Sequence, residues 1–97
     1  MILGMGNFPT LEIKKVNKYI VINEIFGVKT IDKTKVYLKE IREIIPYTQE
    51  QLLERLLEYI NYYGLNYVEF GDKLITWNNL DEAKERLKEV IKCMWKN

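Results

Sequence analysis

Two stretches of this 97-residue chain each combine a helix start signal with a single apolar stripe. In the first, Thr48 and Gln51 have the spacing of a capping box, and Gly64 stands where a left-handed helix C-cap favours glycine. In the second, Asn79 precedes Glu82 by three residues, with Asn in the capping position. Both predicted helices are charged on the opposite face, so each must bury its stripe against another layer. The stripes are Leu52, Leu53, Leu56, Leu57, Ile60 and Tyr63, and then Leu80, Ala83, Leu87, Val90, Ile91 and Met94.

Elsewhere, apolar residues alternate on either side of two short turns. Gly71-Asp72 predicts a two-residue hairpin in which Val68 lies opposite Ile75. Asn17-Lys18 predicts a second hairpin of the same kind. The first register places Val68, Phe70, Ile75 and Trp77 on one face, and Tyr67, Glu69, Leu74 and Thr76 on the other. The second places Leu11, Ile13, Ile20 and Ile22 together.

Residues 36–45 fit two patterns. Val36 and Leu38 alternate as in a strand, whereas Leu38, Ile41 and Ile45 step as in a helix. The β-branched and aromatic residues at the start favour a strand. The resulting order β-β-β-α-β-β-α predicts a single small α+β domain over residues 1–97. We expect a roughly five-stranded antiparallel sheet with two amphipathic helices packed on one face, and the other face is either solvated or covered by a second subunit.

The composition argues against most catalytic designs. The chain contains neither His nor Ser, which leaves carboxylates as the candidate general acids and bases. Asp32, Asp72 and Asp81 are too far apart in sequence for a metal-binding loop. Cys93 has no His partner, so a catalytic thiolate is not indicated. We therefore predict that the chain is not an enzyme, with no catalytic residues, no metal and no cofactor.

The cysteine count and the hydropathy pattern bear on location. A single cysteine cannot form an internal disulfide, which favours a reducing, cytoplasmic setting. No stretch approaches the ~20 apolar residues that span a bilayer, so no membrane partner is predicted.

Aromatic and apolar side chains predicted to lie outside the core suggest a protein-binding module. The candidate interface residues are Tyr62, Tyr67, Leu74 and Trp95. Pairing of two copies through the free sheet face would bury several of them, so a homodimer is expected. In size, composition and lack of catalytic residue types, the chain resembles small proteins of viruses and other mobile elements that occlude a host protein, as anti-CRISPR proteins do. The resemblance implies an inhibitor that binds an unknown host protein, in the host cytoplasm if the chain is viral.

The alternative hypothesis is a small nucleic-acid-binding protein. Basic residues with interleaved tyrosines follow the predicted N-terminal strands, an arrangement that can hold single strands by phosphate contact and base stacking. The candidate contacts are Lys14, Lys15, Lys18, Tyr19, Lys35, Tyr37 and Lys39. The net charge of +1 gives no independent support for such a partner.

Overall fold

Eight elements follow one another in residues 1–96, the part of the chain that this computed structural model describes. Four strands come first: β1 (Ile2–Met5), β2 (Phe8–Val16), β3 (Tyr19–Ile31) and β4 (Thr34–Ile45). Helix α1 (Gln49–Tyr63), strands β5 (Tyr67–Phe70) and β6 (Lys73–Thr76), and helix α2 (Leu80–Trp95) complete the order. The strands form one antiparallel sheet in the order β4-β3-β2-β1-β5-β6. The predicted α+β class is confirmed.

The sheet has six strands, and the expectation of five was wrong. The missed strand is β1, whose four residues are too few to show an alternating pattern. Its place is determined by its neighbours, because it pairs with β2 on one side and β5 on the other. Leu3 lies opposite both Leu11 and Val68, and all three are fully buried. β1 thus joins the N-terminal hairpin to the hairpin that follows α1.

Both predicted hairpins have the expected register. Val16 pairs with Tyr19 around Asn17, whose φ of 56° is the left-handed conformation that such turns require. Val68 pairs with Ile75 around the second turn. Residues 36–45 lie in β4, which confirms the strand interpretation. Pairing along the whole of β3 outweighs the helical spacing of Leu38, Ile41 and Ile45, as tertiary contacts commonly do.

Both helices begin at the predicted caps, and α1 ends at the predicted glycine. Thr48 caps α1 by accepting from the Gln51 amide, and the Gln51 side chain accepts from the Thr48 amide. Gly64 ends the helix at φ 70°. Asn79 caps α2 by accepting from the Glu82 amide. Both helices pack on the sheet face that carries Leu11, Ile13, Ile20 and Ile22, where the apolar stripes form the core. No helix in residues 1–96 is long and apolar enough to cross a membrane.

The distal half of the β3–β4 hairpin extends past the rest of the sheet. Pairing between β2 and β3 stops at Leu11 and Glu24, whereas β3 and β4 stay paired out to Ile31 and Thr34. Two register shifts interrupt the pairing of β3 with β4 near the base of this extension, with Arg42 unpaired on β4 and Phe26 unpaired on β3, and bulges of this kind bend a strand. We call residues 25–39 the arm. The arm lines a common cleft with residues of β5 and β6, to which it contributes Val28, Lys35 and Tyr37. The arm therefore curls over the sheet face that the helices leave free.

Candidate interaction site

The arm divides the helix-free face of the sheet into a covered part and an uncovered part. The covered part is a cleft of about 600 Å³, here called the arm cleft. Leu74 and Thr76 of β6 form one wall and Tyr37 of the arm forms the opposite one. The complete lining is Gly6, Asn7, Pro9, Val28, Lys35, Tyr37, Asn66, Tyr67, Glu69, Leu74, Thr76, Trp77 and Asn78.

Tyr67 lies on the predicted face, but the expectation that it is exposed there was wrong. Only 7% of the residue is accessible. Its ring lies over Gly4, its cross-strand partner on β1, where a Cβ atom would overlap the phenol. Burial, together with the nearby Glu69 and Tyr37, raises the pKa of Tyr67, so the hydroxyl stays neutral. The sequence signal that could have revealed this packing is Gly4 itself, because glycine in a strand often marks a close approach of another group.

The uncovered part of the face carries a group of apolar side chains. Cross-strand pairing places Val16 beside Tyr19, Val21 beside Ile44, and Asn23 beside Ile41. All five apolar members lie on the side of the sheet away from the helices, and Ile41 and Ile44 are 64% and 53% exposed. We call Val16, Tyr19, Val21, Ile41 and Ile44 the open-face patch. It ends at β4, whose outer edge has no neighbouring strand in the described sheet.

A charged network borders the open-face patch. Lys39 contacts the Glu12 carboxylate at 2.6 Å, Lys14 lies 3.5 Å from it, and Asn23 donates a further hydrogen bond at 3.2 Å. Desolvation raises the pKa of Glu12, but the hydrogen bond from Lys39 and the charge of Lys14 outweigh it and leave the pKa lowered. Both lysines are thus partly neutralised by a carboxylate that stays ionised.

A second carboxylate, which is half-buried, joins the sheet to α1. Glu43 of β4 accepts hydrogen bonds from Tyr47 at 2.5 Å and from Arg55 at 2.6 and 2.8 Å, and also from Tyr59. Desolvation raises the pKa of Glu43, but these hydrogen bonds outweigh it and the net shift is downward. Burial and the bond to Glu43 raise the pKa of Tyr47 to about 12. The arrangement holds Glu43 ionised and all its partners protonated, which suits a structural role better than proton transfer.

A third surface lies on the helix side of the molecule. A groove of about 1030 Å³ runs between the N-terminus of α1 and the C-terminal half of α2. Leu53, Ile91 and Trp95 contribute its apolar surface, and Lys15 and Lys18 enter it from the β2–β3 hairpin. We call it the lysine groove, lined by Lys15, Lys18, Pro46, Tyr47, Thr48, Gln49, Glu50, Leu53, Lys88, Ile91, Lys92 and Trp95. The sequence did not predict it, because its lysines come from segments about seventy positions apart.

The remaining predicted interface residues lie in different places. Tyr62 is 79% exposed on α1 and contacts the ring of Tyr63 edge-on. Leu74 is exposed at the arm cleft. Trp95 is partly buried against the core and lies in the lysine groove, with the Lys15 ammonium 5.5 Å from its ring centroid. The structure therefore does not bring the four predicted residues into one surface.

The candidate nucleic-acid contacts are also dispersed. Lys14 and Lys39 lie on the helix-free face, where Glu12 pairs with both. Lys35 and Tyr37 line the arm cleft, and Lys15 and Lys18 line the lysine groove. Tyr19 belongs to the open-face patch, with Lys18 5.6 Å from its ring centroid. Within residues 1–96, no group of three or more His, Cys, Asp or Glu side chains is placed to hold a metal ion.

Comparison with known proteins adds one sequence similarity. The chain is 28% identical over 79 residues to a curated Dictyostelium discoideum protein described as hal-like. The aligned part is 79% of this chain and 15% of that protein. No protein-family model matches the sequence, and no solved structure matches it.

Proposed function

We propose that this chain is a non-enzymatic protein-binding module that acts as a homodimer through the open-face patch. The observation that carries the proposal is the uncovered apolar group on a sheet face whose other half is covered by the arm. Contiguous apolar patches on soluble chains commonly mark interaction surfaces. The proposal includes action in the cytoplasm, as an inhibitor that occludes a host protein if the chain comes from a virus or mobile element.

A second copy is the occupant that the chemistry of the patch favours. In a two-fold contact the same surface meets itself, so it must be self-complementary. Apolar side chains meet this condition. Among the bordering cations, Lys14 and Lys39 share the Glu12 carboxylate, which reduces the repulsion between two approaching copies. The free edge of β4 adjoins the patch and offers further area toward the ~800 Å² per partner of a standard interface.

The state of the two carboxylates that join neighbouring elements supports a binding role. Glu12 and Glu43 both have lowered pKa values and are held by cationic neighbours. A general acid or base at neutral pH needs a pKa near the working pH, and neither carboxylate is shifted in that direction. The absence of His and Ser from the sequence points the same way.

The test is the oligomeric state of matched surface variants. Ile41→Lys with Ile44→Lys places two charges in the patch, and light scattering over a range of protein concentrations should show a shift from dimer to monomer. Phe26→Lys with Ile31→Lys is the control, because these residues of β3 are similarly exposed, at 63% and 50%, and lie outside the patch. A wild-type chain that is monomeric at every concentration would refute the homodimer. Equal effects of the two variants would refute the choice of surface.

A further inference from the structure

We propose that the lysine groove binds an acidic peptide segment of a partner protein, with an apolar side chain of that segment seated against Trp95. This inference goes beyond the homodimer, because the groove lies on the helix side of the sheet and shares no residue with the open-face patch.

The positive charge of the groove favours a negatively charged ligand. Lys15, Lys18, Lys88 and Lys92 line it, and Glu50 is the one acidic residue among its lining residues. Lys88 and Lys92 lie 3.8 and 3.6 Å from Glu85 and Glu89, one helical turn away. Exposed ion pairs of this kind are weak, so they leave both ammonium groups available to a ligand. A groove with walls of one charge sign attracts the opposite sign.

The apolar part of the groove indicates that a peptide fits better than a bare anion. Leu53 and Ile91 are largely buried and lie beside Trp95, which is only partly covered. Burial of an apolar side chain of the peptide against this surface would add a favourable hydrophobic contribution to binding. Phosphate or another inorganic anion would leave the apolar surface of the groove exposed to water. An alternation of acidic and apolar residues would instead meet both the lysines and the apolar surface.

The groove is less suited to a nucleic acid. Sequence-independent binding of single strands relies on several free aromatic faces for successive bases. The aromatic lining residues are Trp95 and Tyr47, and the Tyr47 hydroxyl donates to Glu43, so the groove does not offer a series of free aromatic faces. The groove contains no Arg among its lining residues, and Arg is the residue type most suited to bidentate phosphate contacts.

Trp95 also supplies the measurement. The other tryptophan, Trp77, is 8% exposed and donates its indole N–H to the Leu65 carbonyl at 3.0 Å, so its environment should stay constant. Tryptophan fluorescence of the full chain can therefore be titrated with a short synthetic peptide of alternating glutamate and leucine. We expect a saturable change that weakens as salt rises from ~0.1 M to ~1 M, which shortens the Debye length from about 10 Å to about 3 Å.

Two charge-matched variants test the location. Lys88→Glu with Lys92→Glu should weaken peptide binding about tenfold or more, because two attractive contacts become repulsive. Lys29→Glu with Lys73→Glu makes the same change in net charge at exposed positions outside the groove, and should leave the affinity within about twofold. Circular dichroism confirms that both variants are folded.

Three outcomes would overturn the proposal. The first is equal loss of affinity in the two variants, which would mean that net charge alone attracts the peptide. The second is equal binding of a lysine–leucine peptide of the same length. The third is tighter binding of a short oligothymidylate or of inorganic phosphate, which would assign the groove to a nucleic acid or to a simple anion.

Discussion

The ring of Tyr67 lies over the backbone of Gly4 on the neighbouring strand, in space that the glycine leaves empty. The two residues are cross-strand partners, and a Cβ atom at position 4 would overlap both the Tyr67 phenol and the Phe8 carbonyl oxygen. Glycine in a strand is normally destabilising, and an aromatic residue covering it compensates for the missing side chain. The pair thus holds β5 against β1, and Tyr67 also lines the arm cleft.

Gly4→Ala should destabilise the protein by about 1–3 kcal/mol, because the added methyl group meets backbone as well as side-chain atoms. Chemical denaturation measures the change. Gly27→Ala is the control, since the atoms nearest to its Cβ belong to the Leu38 side chain, the first of them at 3.2 Å, and that side chain can move. In a Tyr67→Ala background the cost of Gly4→Ala should fall, because one of the two clashes is gone. An unchanged cost in that background would show that the ring does not occupy this space.

The Glu43 network predicts how stability depends on pH. The pKa of Glu43 is lowered in the folded protein, so its contribution is complete above its ordinary value of 4.5 and is lost as pH falls through the folded value. Glu43→Gln should reduce the free energy of unfolding at pH 7 by about 1–3 kcal/mol. The difference between wild type and variant should shrink below pH 4.5. Thermal unfolding from pH 7 to pH 3 measures it, and a constant difference across this range would contradict the assignment.

The helix caps should contribute as the local geometry indicates. Thr48→Ala removes the acceptor for the Gln51 amide and should cost about 1 kcal/mol, and Asn79→Ala should cost a similar amount at α2. Thr34→Ala, at an exposed position that starts β4, should change stability by less than about 0.5 kcal/mol. Denaturant midpoints compare the three. A cost for Thr34→Ala as large as that of the caps would point to a general effect of losing threonine.

Two tyrosines of α1 should respond differently to truncation. Tyr62 is 79% exposed, so Tyr62→Ala should change stability by no more than about 0.5 kcal/mol. Tyr59 is 4% exposed and donates to Glu43, so Tyr59→Ala should cost about 3 kcal/mol or more. Urea denaturation distinguishes the two. A large cost for Tyr62→Ala would mean that its ring carries a packing role through Tyr63.

The burial of Tyr67 changes which residue can test self-association. From the hairpin register alone, a charged residue at position 67 would be expected to weaken dimer formation. In the structure such a change removes a buried ring, so any loss of association would follow from loss of folding. Ile41 and Ile44 are the better positions, because they are exposed and their replacement leaves the core intact.

Local sequence signals determined most of the secondary structure of this protein. The helices begin at Thr48 and Asn79 because their side chains accept the otherwise unpaired backbone amides, which is a property of a few neighbouring residues. The hairpin turn around Asn17 could be predicted for the same reason, because the turn residues and the alternation of apolar and polar residues on either side of them are local features. These signals also determined which faces of β2, β3, β5 and β6 enter the core.

Tertiary structure alone decided the rest, because it depends on contacts between residues distant in the chain. β1 is a strand only through its pairing with β2 and β5, and residues 36–45 follow the strand pattern because β3 lies beside them. Tyr67 is buried where its ring lies over Gly4 of the neighbouring strand, whereas Ile41 and Ile44 stay exposed on the same face of the sheet. The lysine groove exists because the chain brings the first hairpin beside the last helix. Side-chain type and spacing determine local conformation, whereas the surfaces available for binding are set by how the elements cover one another.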